Sequence, residues 1–292
     1  MLNGWEWNEA APETSLQGLV ALLTFDPNRV PKLIGTGFIV GAYGSHAVAI
    51  TAAHNFYEGV HHAQVPDPLH NVTALAEFLP HAEEIKLDRK NMRAIYQVGS
   101  RIEFCVLGFA AWDKTVDLAV FTLSAQNVSD KTVFNFFYRL NHVQPAVGDL
   151  VCVAGYGDMD TLSHERRGDE EKAMLARRLV LRAGRVTALH LGGHILCRGP
   201  CIETTIPVLA GMSGGPAFQY SEPGKAMVPF GLVCSDPDEP VALKNDRSRA
   251  GSSILSLLSH EITDDTETKR RVLFKFANIG VARNAEIEHD QK

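Results

Sequence analysis

The chain has 292 residues, 45% of them hydrophobic and 21% charged, the proportions of a globular protein with room for one two-lobed unit or two small domains. Its 28 basic and 34 acidic residues leave a formal net charge of −6, which argues against nucleic acid as a partner. No apolar run approaches the length of a membrane span, and the opening MLNGWEWNEAAPETS carries neither a basic leader nor an apolar core, so neither membrane nor secretory signal is expected.

Residues 1–16 are polar, with Trp5 and Trp7 two apart, a pair that either packs back on the body or docks a partner. QGLVALLTF (17–25) predicts a first strand, closed by the Asp26-Pro27-Asn28 turn. IGTGFIV (34–40) predicts the next, its two glycines suited to a barrel corner. Gly41 to Gly44 signals a hairpin, and Ala47 to Ala53 predicts a strand ending at His54. His61 and His62 lack companions at ligand spacing and read as exposed side chains. The segment 63–90, with its prolines and charges, reads as a surface excursion; strand patterning returns at 96–98 and 102–112 and opens again at Asp117 with DLAVFTL. Between 127 and 147 periodicity is lost, as in a linker, and its FNFF (134–137) reads as packing.

LVCVAGYG (150–157) is the next predicted strand, and the charged, apolar-poor stretch 158–172 reads as an exposed, mobile loop. Leu179 to Leu189 alternates as a strand, with 190–197 as its hairpin partner through Gly192-Gly193. Residues 201–209 lead into a glycine-rich turn, PFGLVC (229–234) is apolar strand, 236–249 is a charged loop and GSSILSLL (251–258) is a last strand. Beyond it lie an apolar run, Val272 to Val281, and a polar tail. The basic clusters Arg166-Arg167, Arg177-Arg178 and Lys269-Arg270-Arg271 read as solvated faces. Five cysteines, Cys105, Cys152, Cys197, Cys201 and Cys234, are odd in number and mostly within strand-like runs, which predicts reduced, buried thiols in a cytoplasmic protein. Cys197 and Cys201 form a C-x3-C with no second pair, so no metal is expected.

Three stretches carry chemistry. In Gly211-Met212-Ser213-Gly214-Gly215-Pro216 a serine sits in a turn whose glycines allow sharp bending and leave backbone N–H groups uncovered. A nucleophilic serine needs a base within hydrogen-bond reach and a third group to orient that base. Thr51-Ala52-Ala53-His54 supplies an imidazole at a strand end, and Asp117-Leu118-Ala119-Val120 a carboxylate at a strand start. Asp113 is a rival for the carboxylate, but it lies in a turn beside Lys114.

These motifs, in the order His, Asp, Ser, resemble those of the chymotrypsin/trypsin-like serine peptidases, in the bacterial type without disulfides, from about Leu19 to Ile254. The resemblance implies an all-β fold of two perpendicular Greek-key β-barrels with the active site between them. Barrel one would span 17–126, a linker 127–147, barrel two 148–260, and a short helical or mixed extension 261–292. NFYEGVHH resembles the short helix after the family's histidine, and GSSILSLL its closing strand and the start of a terminal helix. Ser213 would attack the scissile carbonyl, His54 would serve as base and then acid, and Asp117, which directly precedes LAV as in the family motif, would orient the imidazole. The N–H groups of Gly211 and Ser213 would form the oxyanion hole, with no metal or organic cofactor.

Pro207, Val208, Leu209 and Ala210, with Cys234 and Ser235, would line the substrate pocket. Pro207, where an acid would select basic residues, implies an apolar pocket, while Asp236 and Asp238 offer a route back to basic selectivity. Met212 replaces the aspartate that, in members activated by cleavage, pairs with a new N-terminal amine; activation by that route is not expected, and control would fall to something else, such as an activating protein partner. The reading is a cytoplasmic serine endopeptidase acting on a dedicated protein substrate. The alternative is a catalytically silent trypsin-like scaffold that binds a partner. An esterase on the α/β-hydrolase fold is opposed by the order of the three residues.

Overall fold

The computed structural model describes residues 5–7, 17–25, 30–56, 84–87, 92–98, 101–125, 133–134, 136–140, 144–167, 170–194, 197–219, 227–235, 252–258, 262–264, 272–274 and 279–284. Their regular structure is almost entirely strand. It begins with β1 (Trp5–Trp7), β2 (Leu19–Phe25), β3 (Pro31–Tyr43), β4 (His46–Thr51), β5 (Glu84–Leu87), β6 (Met92–Val98), β7 (Arg101–Asp113) and β8 (Leu118–Ala125). It continues with β9 (Leu150–Arg167), β10 (Glu170–His190), β11 (Cys201–Thr204), β12 (Pro216–Gln219), β13 (Pro229–Ser235) and β14 (Ser253–Leu257). The last are β15 (Ile262–Asp264), β16 (Val272–Phe274) and β17 (Ile279–Asn284).

Two rings close. In the first, β7-β6-β2-β3-β4-β8 run side by side and β8 returns to β7. In the second, β10-β11-β14-β13-β12-β9 do the same, β9 returning to β10. Every pairing within the two rings is antiparallel, and closure removes the unpaired strand edges that an open sheet would leave. This is the two-barrel, chymotrypsin-like fold. Side chains of the first barrel, among them Phe56, Trp112 and Phe121, are fully buried in one cluster. A second cluster joins Leu19, Phe38 and Ile50 of the first barrel to Cys152, Phe218 and Leu232 of the second, so the barrels share a continuous apolar junction rather than touching through solvent.

The linker contributes to that junction. Phe134 packs into the first barrel's own cluster, 4.9 Å from Tyr96 between ring centroids, while Tyr138 belongs to the junction. Tyr138 meets Phe38 at 6.0 Å and Phe218 at 5.6 Å, one ring from each barrel. Phe137, by contrast, is exposed, so the FNFF run packs only in part; Asn135 lies outside the described residues.

Several expectations are corrected. The charged stretch 158–172 is not a loop: β9 runs on to Arg167, β10 starts at Glu170, and the two pair antiparallel through it. Its register sets Glu170 opposite Arg167, Glu171 opposite Arg166 and Lys172 opposite Glu165. Unlike charges opposite one another favour a ladder, and a Gly-Asp pair between two runs is a hairpin signal. The excursion 63–90 contains β5. The partner of β10 after its turn is β11, with His190 opposite Cys201, while 194 and 197 form only an isolated bridge.

The C-terminal extension, expected as helical or mixed, consists of strands among the described residues. β15 pairs with β16, and β17 adds to β7 and runs parallel to β5. It therefore extends the first barrel's sheet. At the other end, β1 adds to β10 with Trp5 opposite Ala183. A helical turn does begin at His54, as the resemblance implies; His61 and His62 lie outside the described residues.

Candidate active site

His54 follows β4 and Asp117 precedes β8, and these two strands are neighbours with Thr51 opposite Ala119. The ladder thus delivers both residues to one end of one barrel. The Ala53 N–H donates to the Asp117 carbonyl at 3.1 Å. The His54 backbone N–H donates to Asp117 Oδ1 at 3.0 Å, and His54 Nδ1 bonds Asp117 Oδ2 at 2.9 Å. A carboxylate that accepts a hydrogen bond from Nδ1–H leaves Nε2 as the basic nitrogen. His54 keeps 18% side-chain exposure and Asp117 9%, so the base faces outward while its partner lies beneath it.

Asp117 has φ of 48°, the left-handed region that an aspartate enters more readily than most residues but still at a cost. The surroundings hold it there from the other barrel. Gly199 N–H donates to the Thr115 carbonyl at 2.6 Å, and Ser256 Oγ donates to the Val116 carbonyl at 2.6 Å. The rival Asp113 closes the same turn from within: it is buried, and its Oδ1 accepts the Thr115 N–H at 2.7 Å.

Ser213 is half-buried on the turn before β12. The turn needs its glycines. Gly211 has φ of 91° and Gly214 φ of 82°, and a Cβ on Gly214 would run into Thr51 Oγ1, the Thr36 carbonyl and the Ala52 nitrogen. The Met212, Gly214 and Gly215 N–H groups donate to the carbonyls of Leu209, Val233 and Met212. Among the described residues those of Gly211 and Ser213 donate to none.

The turn is also clamped by the first barrel. The Ser213 carbonyl accepts the Thr36 N–H at 2.8 Å and Asn55 Nδ2 at 3.0 Å. Asn55 also donates to Thr51 Oγ1 at 2.8 Å, and Thr51 Oγ1 donates to the Thr36 carbonyl at 2.6 Å. Thr36 Oγ1 donates to the Gly211 carbonyl at 2.7 Å and accepts the Tyr156 N–H at 2.8 Å. Because Asn55 is the residue after His54, this network brings the histidine and serine segments together. Gly35 permits it, since a Cβ there would collide with the Asn55 side chain.

Thr36, Thr51 and Asn55 were not singled out from sequence. The available signal was hydroxyls at buried positions inside apolar runs, IGTGFIV and AVAITAAH.

Of the expected pocket residues, Pro207, Val208 and Leu209 are half-buried and Ala210 is exposed. Arg182 Nη1 donates to the Pro207 carbonyl at 2.6 Å, and the Leu209 N–H meets Met212 Sδ at 3.4 Å. Met212 itself is buried in the apolar cluster of the second barrel.

Cys234 has another place than a pocket wall. It is buried, and its Sγ donates to Asp117 Oδ2 at 3.0 Å. It lies where the β13–β14 register shifts between Val233 and Ser235, and such a bulge re-aims a side chain. The side chain of Ser235, and all of Asp236 and Asp238, lie outside the described residues. Among the described residues no group of His, Cys, Asp and Glu is arranged to hold a metal, and no helix is long and apolar enough to cross a membrane.

The fold agrees with the comparison to known families. Residues 35–225 match the trypsin-like peptidase domain, and the chain belongs to that family. Among solved structures it is similar to the active form of the Rv3671c protease from M. tuberculosis, at 14% identity over 86% of this chain and 80% of that one, with a TM-score of 0.42. It is similar also to neuropsin, a serine protease expressed in the limbic system of mouse brain, at 12% identity over 86% and 93%, with a TM-score of 0.48. No curated protein matches the chain in sequence.

Proposed function

We propose that the chain is a serine endopeptidase working through His54, Asp117 and Ser213. The observation that carries this reading is the 2.9 Å bond from His54 Nδ1 to Asp117 Oδ2 beside a serine turn clamped by Asn55. Ser213 Oγ attacks the peptide carbonyl as His54 Nε2 takes its proton. The tetrahedral oxyanion is received by the N–H groups of Gly211 and Ser213, which have no other acceptor among the described residues. His54 then protonates the leaving amine, and water enters by the same route to hydrolyse the acyl-enzyme. Asp117 holds the imidazole tautomer and stabilises the imidazolium. Removing one oxyanion donor costs about 10²–10³ in rate in comparable sites.

Met212 buries a thioether in the apolar cluster of the second barrel, so no ion pair with a freshly cut amine is required to shape the oxyanion turn. The chain is active without N-terminal trimming on this reading. The half-buried Pro207, Val208 and Leu209 wall favours apolar side chains in a protein or peptide substrate. Five cysteines without a disulfide favour a reducing, cytoplasmic setting.

The test is labelling of the full chain, Met1 intact, with a fluorophosphonate probe beside S213A and H54A, followed by cleavage of an amide substrate. Labelling that requires both residues, and amide turnover without trimming, are the expected results. A folded chain that neither labels nor cleaves would instead support a binding scaffold.

A further inference from the structure

Directly behind the candidate triad lies a group that the peptidase chemistry leaves unused. Cys197, Cys201 and Cys234 form one buried cluster with Ile254. The Cys197 thiol donates to the Gly199 carbonyl at 3.8 Å, and the Cys201 and Cys234 thiols adjoin it in the same cluster. Cys201 Sγ also reaches the Cys197 carbonyl at 3.7 Å. Cys234 donates its S–H to the Asp117 carboxylate, while its sulfur belongs to the same cluster as Cys197.

The site is dry but not deep. Cys197 stands in the irregular turn between β10 and β11, and the next residue, Arg198, is exposed. The same turn supplies Gly199, whose N–H holds the Thr115 carbonyl and which lies close enough to Val116 that an added Cβ would strike it. Cys234, Ser256 and Gly199 thus enclose the Thr115–Asp117 turn from three strands or turns of the second barrel.

We propose that Cys197 and Cys234 are an oxidisable thiol pair, and that their disulfide takes the Cys234 proton away from Asp117 and switches the peptidase off. The inference rests on the triad reading given above. The oxidant class is a hydroperoxide. The Cys197 sulfur attacks the distal oxygen of hydrogen peroxide, forming an S–O bond as the O–O bond breaks. The Cys234 sulfur attacks the resulting sulfenic sulfur, an S–S bond forms, and the oxygen leaves as water. Two thiols and one peroxide become one disulfide and two waters, with two electrons passing from sulfur to oxygen. A dithiol reverses the step.

Cys197 is the attacking sulfur because it stands in a turn beside the exposed Arg198, whereas Cys201 and Cys234 lie within strands. Hydrogen bonds from Cys201, and then from Cys234, favour its thiolate, the reactive form. The other two thiols are pushed upward, chiefly by donating to Cys197 and by burial. Cys105 and Cys152 are raised to about 12 by burial, with the Glu103 charge adding to the effect on Cys105, and stay inert. In the disulfide Cys234 has no S–H, and a bond of about 2.05 Å draws its sulfur toward Cys197. Among the described residues Asp117 loses one of three donors to its carboxylate, and a hydrogen bond to a charged group is worth about ten- to a hundred-fold in an equilibrium constant.

The experiment titrates the full, reduced chain with hydrogen peroxide. Peptide mapping reads the 197–234 disulfide, and the rate of fluorophosphonate labelling reads Ser213. The disulfide should appear as labelling slows at least about ten-fold, and dithiothreitol should reverse both. C197S should keep its reduced labelling rate and lose the peroxide response, whereas C201S should still respond. Absence of the 197–234 disulfide after saturating peroxide, or its formation with labelling unchanged, overturns the proposal. If the reduced chain is folded yet never labels, it is the peptidase reading that fails. The mapping then still decides whether the thiol pair exists.

Discussion

On the first barrel, His54 and Asp117 flank two neighbouring strands, and their contacts run along the β4–β8 ladder that also builds the barrel. On the second, Ser213 sits in a turn whose carbonyls are gripped by residues of the other barrel, Thr36 and Asn55. The His–Asp pair is thus joined along one ladder, with the Thr115–Asp117 turn backed from the second barrel by Gly199, Cys234 and Ser256, whereas the nucleophile's turn meets the base only through docking of one barrel on the other. A disturbance confined to the Thr36–Asn55 clamp should displace the serine turn before it disturbs the His–Asp pair.

The largest effect tests the local half. Asp117→Asn should lower kcat on an amide substrate by about 10⁴, because the amide no longer holds the required imidazole tautomer. Thermal unfolding should show the protein still folded, since the backbone ladder is untouched. A loss of less than ten-fold would place the orienting carboxylate elsewhere.

Next comes the docked half. Gly214→Ala forces a Cβ onto a left-handed φ and into Thr51, Thr36 and Ala52 of the first barrel. The left-handed strain is about 1–2 kcal/mol and the overpacking about 1–3 kcal/mol. Labelling of Ser213 should fall at least about 100-fold with a lowered Tm. Thr36→Val should act more mildly on the same junction. It removes a hydroxyl that donates to the Gly211 carbonyl and accepts the Tyr156 N–H, two hydrogen bonds worth about 0.5–1.5 kcal/mol each. The expected results are a Tm lower by several degrees and labelling slowed roughly ten-fold. Comparable labelling in Thr36→Val and the parent chain would show that the turn holds itself.

This contrast also explains what could be read from the sequence. The strands and the His, Asp and Ser turns are local patterns: apolar runs of period two, glycines at bends, and short motifs at strand ends. The clamp on Ser213 is not local, because Thr36 and Gly211 lie 175 positions apart and nothing in either stretch names the other. Cys234 escaped for a related reason. Its strand was recognised, but a one-residue register shift decides whether the thiol faces a pocket or Asp117, and a bulge leaves little trace in an apolar run. The β9–β10 hairpin departs from the loop expected of 158–172 because charge density alone does not tell whether the charges stand opposite one another across a ladder. Its signal was present in ERRGDEEK, where basic and acidic residues flank Gly168-Asp169.

The smallest expected effect discriminates between two buried carboxylates on one turn. Asp113 ends β7 opposite Leu118, four residues before Asp117, and sequence position alone makes it a rival. Its Oδ1 accepts the Thr115 N–H, whereas the imidazole contact belongs to Asp117. Asp113→Asn keeps an oxygen able to accept that N–H, so it should cost about 1 kcal/mol in stability and leave kcat/KM within about three-fold. The pair of variants therefore separates roles that burial does not: both aspartates lie under the surface, but only one is tied to the base. Equal loss in the two variants would mean that the whole Asp113–Asp117 turn acts as a unit, and that the imidazole is oriented by the turn's shape more than by one carboxylate.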